Sequence, residues 1–219
     1  MHRTVTVVLA TGLALSVLLL AGKLSYVRTP GDQRGYEPLQ PIAFSHRLHA
    51  GELKTDCLFC HYAAERSRHA GIPAESVCMN CHRVVTAPLG TVRDEDERAR
   101  ADNRPPRPVV SPELRKLYDA LALDEKLRTV PGGQPRSVEW VRVHRLPDFV
   151  YFDHRAHVRA GVACQSCHGP VETMENMRQV ERLNMGWCVS CHRRSAAATL
   201  ASAGGGSPHP STDCSVCHF

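Results

Sequence analysis

Every cysteine of this chain belongs to one repeated pentapeptide. The ten cysteines form five copies of Cys-x-x-Cys-His: Cys57, Cys60 and His61; Cys78, Cys81 and His82; Cys164, Cys167 and His168; Cys188, Cys191 and His192; Cys214, Cys217 and His218. Two thiols at this spacing can each form a thioether with a porphyrin side arm, while the histidine that follows on the same short turn ligates the iron. The expected cofactor set is therefore five covalently bound c-type haems. Zinc is the competing reading, but its structural sites join two Cys pairs, or a pair and a spaced histidine pair, around one metal. Five pairs leave one unmatched. A disulfide framework would suit an exported chain, yet it gives no reason for a histidine after every second cysteine.

What fills the sixth position of each iron decides the chemistry, because a protein ligand makes an electron carrier and an open position admits a substrate. Of the 13 histidines, those outside the motifs are His2, His46, His49, His69, His144, His154, His157 and His209. His2 lies ahead of a membrane-length apolar run, on the other side from the motifs, which leaves seven histidines for five irons. None of the five motifs is altered, so the changed proximal ligand that often marks a catalytic multihaem centre is absent. Met174, Met177 and Met185 could also ligate iron, but with histidines in surplus they are expected to pack on porphyrin instead.

A repeat organises these residues. Phe44-Ser45-His46-Arg47-Leu48-His49 precedes the first motif, and Phe152-Asp153-His154-Arg155-Ala156-His157 precedes the third. Each is followed by Cys-x-x-Cys-His, a gap of about twenty residues, and Cys-x-x-Cys-His-Arg, which describes a duplicated two-haem module. Histidines three apart on one helical turn can be aimed at neighbouring haems. The hexapeptide closely resembles the one that opens the modules of small multihaem cytochromes of the c3 and c7 type. That resemblance implies His46 on the first haem, His49 on the second, His154 on the third and His157 on the fourth. For the fifth haem His144 is the choice, with His69 and His209 in reserve.

The elements that must position these residues follow in order. Thr4 to Gly22 is an uncharged run rich in Leu, Val and Ala between Arg3 and Lys23, long enough to cross a bilayer as one helix. A cleaved signal peptide is the alternative, but its apolar core is usually shorter and Leu19-Leu20-Ala21 is a poor cleavage site. We expect an uncleaved transmembrane signal anchor at 1–25. Haem attachment of this type takes place outside the bacterial inner membrane, so the haem domain is expected on the periplasmic side. A two-haem module at 40–83, a charged and Pro-rich linker at 84–143, a second module at 144–193 and a flexible tail with the fifth haem at 194–219 complete the division. In the linker, the charged run Arg93 to Arg100 and the cluster Pro105, Pro106, Pro108 read as extended, exposed chain. A helix then opens with Ser111 as N-cap and Pro112, presents Leu114, Leu117, Tyr118 and Leu121 on one face, and ends at Pro131-Gly132-Gly133. That face packs on the haem domain or meets a partner subunit. Ser195 to Ser207, rich in Ala, Gly and Ser, reads as a flexible lead.

With roughly 40 residues per haem, the haems must form much of the core, and an aromatic content of 5% agrees, since porphyrin supplies the large flat apolar faces. The fold class expected is mostly α and irregular, with short helices bearing the motifs. The formal charge of +5 omits the anionic haem propionates, so Arg142, Arg145, Arg155, Arg193 and Arg194 are expected to pair with propionates rather than form a nucleic-acid patch.

A closer resemblance rests on Ile42-Ala43-Phe44-Ser45-His46, Gly71-Ile72-Pro73 with Cys78-Met79-Asn80-Cys81-His82, Trp140-Val141-Arg142-Val143-His144 with Leu146-Pro147-Asp148, and Met185-Gly186-Trp187-Cys188. Together with the anchor and five motifs, these make the chain similar to the pentahaem cytochrome subunit of alternative complex III, the quinol-oxidising respiratory or photosynthetic complex. The resemblance implies an electron-carrying subunit with no catalysis of its own. It also implies an iron–sulfur subunit, quinol-binding membrane subunits and a monohaem cytochrome c as partners. A stand-alone membrane-anchored multihaem quinol dehydrogenase is the runner-up. A multihaem reductase, which would need an open iron, is a weaker alternative.

Overall fold

The computed structural model describes residues 2–26, 33–201 and 210–218. Among them the chain is helical and irregular, with no strand beyond two isolated bridges. The helices are α1 (His2–Tyr26), α2 (Cys57–Cys60), α3 (Glu75–His82), α4 (Leu89–Ala101), α5 (Pro112–Ala120), α6 (His154–Arg159), α7 (Gln165–His168), α8 (Met185–Ala201) and α9 (Cys214–Cys217). Each of the five motifs lies on or at the end of a helix, as the attachment chemistry requires. Two compact units are distinguished: a three-motif unit, Gly35–Val143 with Tyr151–Glu181, and a two-motif unit, Met1–Arg34 with His144–Val150 and Arg182–Phe219.

Helix α1 contains the apolar run Arg3–Lys23, whose mean hydropathy of 2.3 and 21-residue length suffice to cross a membrane. Its described side chains are all exposed.

In the three-motif unit, the protein-built core comes mostly from the segment between the second and third motifs, with Ala64, Met174 and Gln179 added from outside it. Helix α5 starts as its sequence dictates, with Ser111 Oγ accepting from Leu114 N at 3.3 Å and Pro112 in the first turn. It buries Leu117, Tyr118 and Ala120. The helix stops at Ala120, well short of Pro131-Gly132-Gly133, because the chain turns at Ala122, which adopts a positive φ of 55° and is itself buried.

The charged run expected as extended chain is instead helix α4. Its residues are good helix formers, and its charges are paired rather than bare. Glu95 is 8% exposed, accepts from Arg104 Nη1 at 2.6 Å and from Arg107 N at 2.8 Å, and lies near Arg98. These donors, Arg104 first, lower its pKa to about 2. Ala99, 1% exposed, gives the helix a buried face. The following Pro105, Pro106 and Pro108 are irregular and exposed, as expected. Thr86 closes the excursion by accepting from Ser111 N and donating to Val109 O.

In the two-motif unit no described side chain is buried. Helix α8 carries the fourth motif and runs on to Ala201. Residues 195–201 are thus helical, not the flexible lead expected, because their alanines favour continuing the turn already begun. Residues 202–209 lie outside the described residues, as does His209.

Candidate haem centres

The first hexapeptide forms a tight helical turn, Arg47–Glu52, entered at His46, and the second forms α6, capped by Asp153, which accepts from Arg155 N at 2.9 Å. In each copy a phenylalanine ring sits between the two histidines. Phe44 is 5.0 Å from His46 and 4.3 Å from His49; Phe152 is 4.8 Å from His154 and 4.6 Å from His157. The sequence F-x-H-x-x-H therefore codes a small rigid device that splays two imidazoles from one turn.

Three of those imidazoles lie near motif histidines. His49 and His82 have ring centroids 6.1 Å apart with planes at 64°, and His154 and His168 are 6.4 Å apart with planes at 8°. A metal–imidazole bond is about 2 Å long, so two rings on opposite faces of one iron should have centroids about 6 Å apart. Both pairs have that spacing. His46 and His61 are electrostatic neighbours, and burial first, then His61 and His49, lowers the His46 pKa to about 4. It is neutral at neutral pH, as an iron ligand must be.

The rings are also oriented for ligation. A ligating imidazole usually gives its other N–H to a carbonyl, which fixes the tautomer and raises its basicity. Nδ1 lies 2.9 Å from Ser45 O in His49, 2.8 Å from Gly71 O in His61 and 2.8 Å from Val85 O in His82. It lies 2.7 Å from Arg68 O in His154, 2.9 Å from Asp153 O in His157 and 2.7 Å from Ser211 O in His192. In six histidines the carbonyl at Nδ1 makes Nε2 the ring nitrogen that could face a metal. His46 differs, its Nδ1 being buried without a hydrogen-bond partner.

Among the described residues no three His, Cys, Asp or Glu side chains come together as a metal cage would need. Zinc takes four ligands from protein, whereas haem brings four ring nitrogens and asks for two histidines. The residues present therefore fit haem and do not fit zinc. Apolar side chains in and beside the motifs lack protein cover, with Phe59, Ile72, Val84, Val85 and Val216 all at least half exposed. A cavity of about 360 Å³ opens beside Cys57 and Gln165, lined also by Ala50, Lys54, Val171 and Glu172.

The motifs are neighbours in an order that the sequence did not disclose. The Cys164 thiol is a hydrogen-bonding neighbour of Cys57, whose pKa is raised by burial first and then by Cys164. Cys60 interacts with Cys78 and Cys81. Gly51 sits against Glu172, just after the third motif, where a Cβ would collide with the Glu172 carbonyl. Within the two-motif unit Cys188 and Cys217 interact. There the segment holding His144 runs beside the fifth motif, since Val150 bridges to His218 and Phe149 stacks on its ring at 5.8 Å. His69, one of the reserves, is exposed.

Several supporting residues were not foreseen. Tyr118, fully buried, donates from its hydroxyl to His82 O at 2.5 Å and so pins the second motif from the linker. Glu113 accepts from Ala43 N at 2.7 Å, just before the first hexapeptide, and Glu75 accepts from Val138 N at 2.6 Å. The amphipathic stripe of α5 was the signal for Tyr118; the two glutamates gave none. Arg155, expected on a propionate, is committed to Asp153, with Nη2 2.5 Å from Oδ2. The fork and carboxylate are only two residues apart, and this pairing holds the Asp153 pKa far below its ordinary value. Met174 is buried in the protein core and Met185 is 69% exposed.

Residues 150–219, which include the third, fourth and fifth motifs, match the family described as cytochrome c7 and related cytochrome c. Over 129 residues, 59% of the chain, the sequence is 29% identical to the multihaem cytochrome c subunit of menaquinone reductase from Nitratidesulfovibrio vulgaris. The match spans 45% of that protein's length, so this chain corresponds to less than half of that relative. The part of the chain that carries the last three motifs is thus similar to the c7-type multihaem cytochromes.

Proposed function

We propose that this chain is an electron-transfer subunit with five c-type haems, anchored in the bacterial inner membrane by α1 with its haem domain on the periplasmic side. In this reading it relays electrons within a membrane-bound quinol-oxidising complex to a periplasmic acceptor. The observation that carries it is the pairing of imidazoles: His49 with His82 and His154 with His168, at iron-ligand spacing, with Nδ1 of His49, His82 and His154 tied to carbonyls. Cys57, Cys60, Cys78, Cys81, Cys164, Cys167, Cys188, Cys191, Cys214 and Cys217 form the thioethers. His61, His82, His168, His192 and His218 are the proximal ligands. His46 completes the first centre, and the repeat extends the set to His157 for the fourth and His144 for the fifth.

Bound haem supplies a reversible one-electron iron couple. The chain's own residues do the rest. With haem bound, the histidines would hold the iron from both sides and so keep small substrates off the metal. Carbonyls of Ser45, Arg68, Gly71 and Val85 hold the rings in one tautomer and orientation. Tyr118 and Gly51 fix the motifs close together. The neighbouring cysteines place the first centre beside both the second and the third, so electrons need not follow the order of the sequence.

The relative's name belongs to a menaquinone reductase, whereas the resemblance of the sequence is to a quinol-oxidising complex. A chain of closed haems conducts in either direction, so the partner subunits set the direction. Mild detergent extraction of native membranes, a native gel stained for covalent haem and a quinol-dependent assay on the stained band test the reading. A band of several hundred kilodaltons that passes electrons from quinol to cytochrome c supports it. A band near the mass of this chain with its haems favours a stand-alone quinol dehydrogenase.

A further inference from the structure

Arg68 lies in the loop between the first and second motifs. Its carbonyl accepts from both the ring Nδ1 of His154, at 2.7 Å, and the His154 amide, at 3.2 Å. The residue is therefore fixed beside the distal ligand proposed for the third haem. Its guanidinium carbon stands 4.6 Å from the centroid of the Tyr151 ring, and its Nε is buried with no hydrogen-bond partner. The acid that the Tyr151 hydroxyl reaches, Asp153, is already engaged by Arg155 through its backbone N–H and its fork. A buried guanidinium N–H left without an acceptor is costly. Its planar fork matches a carboxylate with two parallel hydrogen bonds, and stacking on an aromatic face keeps the fork pre-oriented.

We propose that Arg68 binds a propionate carboxylate of the haem gripped between His154 and His168. This rests on the haem reading above. It makes one residue serve that centre twice, its carbonyl orienting the axial imidazole and its side chain neutralising the macrocycle's charge. A cation held at the propionate stabilises the reduced, less positive iron and raises the potential of that centre.

The test uses the full chain matured with its haems, as wild type, Arg68→Gln, Arg68→Lys and, as a packing control, Tyr151→Leu. Haem content by intact mass is measured first. A wild-type chain without haem would overturn the underlying reading and this proposal with it. With haem present, Arg68→Gln should shift the propionate-bending band in the resonance Raman spectrum and lower one of the resolved midpoint potentials, the same one that His154→Met moves. Arg68→Lys should keep most of the potential and still shift the band, because an ammonium cannot reproduce the two-pronged contact. If Arg68→Gln leaves both band and potentials unchanged, or if Tyr151→Leu alone reproduces its effect, Arg68 packs on Tyr151 and the proposal fails. Should Arg68→Gln not mature, the Arg68→Lys band shift decides by itself.

Discussion

The three-motif unit and the two-motif unit carry the same pentapeptide and surround it differently. In the first, α4, α5 and the turn after α5 supply a protein core of Ala99, Leu117, Tyr118, Ala120 and Ala122, and a hydrogen bond runs from Tyr118 of that core to the second motif. In the second, no described side chain is buried, and among the described residues the fourth and fifth motifs meet each other and the segment 144–150 runs beside the fifth. The contrast separates a unit with a scaffold of buried side chains beside its motifs from one that builds no such scaffold among its described residues.

Deleting attachment sites gives the largest effect and can break this comparison. Cys188→Ala with Cys191→Ala should expose residues 182–201 to protease, with cleavage faster by on the order of tenfold or more as local opening becomes nearly free. Cys78→Ala with Cys81→Ala should cost one haem while leaving α4 and α5 protected from hydrogen exchange. Equal protection of both regions in both variants would remove the distinction.

A smaller effect sharpens it. Tyr118→Phe leaves the His82 carbonyl without its buried donor, which should cost about 1–3 kcal/mol in the midpoint of chemical unfolding. It should also shift the potential of one haem without loss of haem. An unchanged midpoint would mean that α5 merely covers the second motif.

Acid gives the smallest and most local effect. The Glu95 pKa is lowered from an ordinary 4.5 to about 2 by Arg104 first, then by the Arg107 amide. A depressed carboxylate stabilises the fold fully above its unfolded pKa and loses that contribution as pH falls through its folded pKa. Hydrogen-exchange protection of Leu89–Ala101 should therefore decline between about pH 4.5 and 2. Glu95→Gln should abolish the pH dependence in that window, and a decline that persists in this variant would assign it to other groups.

The sequence made the attachment chemistry legible because Cys-x-x-Cys-His encodes it within five residues. The resemblance to c3 and c7 modules puts His49 with His82 and His154 with His168, and the structure brings those rings to 6.1 and 6.4 Å; that each pair shares an iron is our proposal. Helix α4 was misread because a dense run of charges looks solvated when the partners of Glu95 lie nine and twelve residues away. The closeness of Cys57 to Cys164 was not legible, since contacts between distant segments leave no trace in one sequence. Arg68 was hidden for a related reason. Nothing in its neighbourhood distinguishes it from Arg66, and only the fold brings it to His154 and Tyr151.

The most direct test of the account is carbon monoxide binding by the reduced, fully loaded chain, followed in the Soret band. Closed axial positions on all five irons predict no binding on the minute timescale. Stoichiometric uptake at one or more irons would contradict the account and give the chain an open centre where substrate could bind.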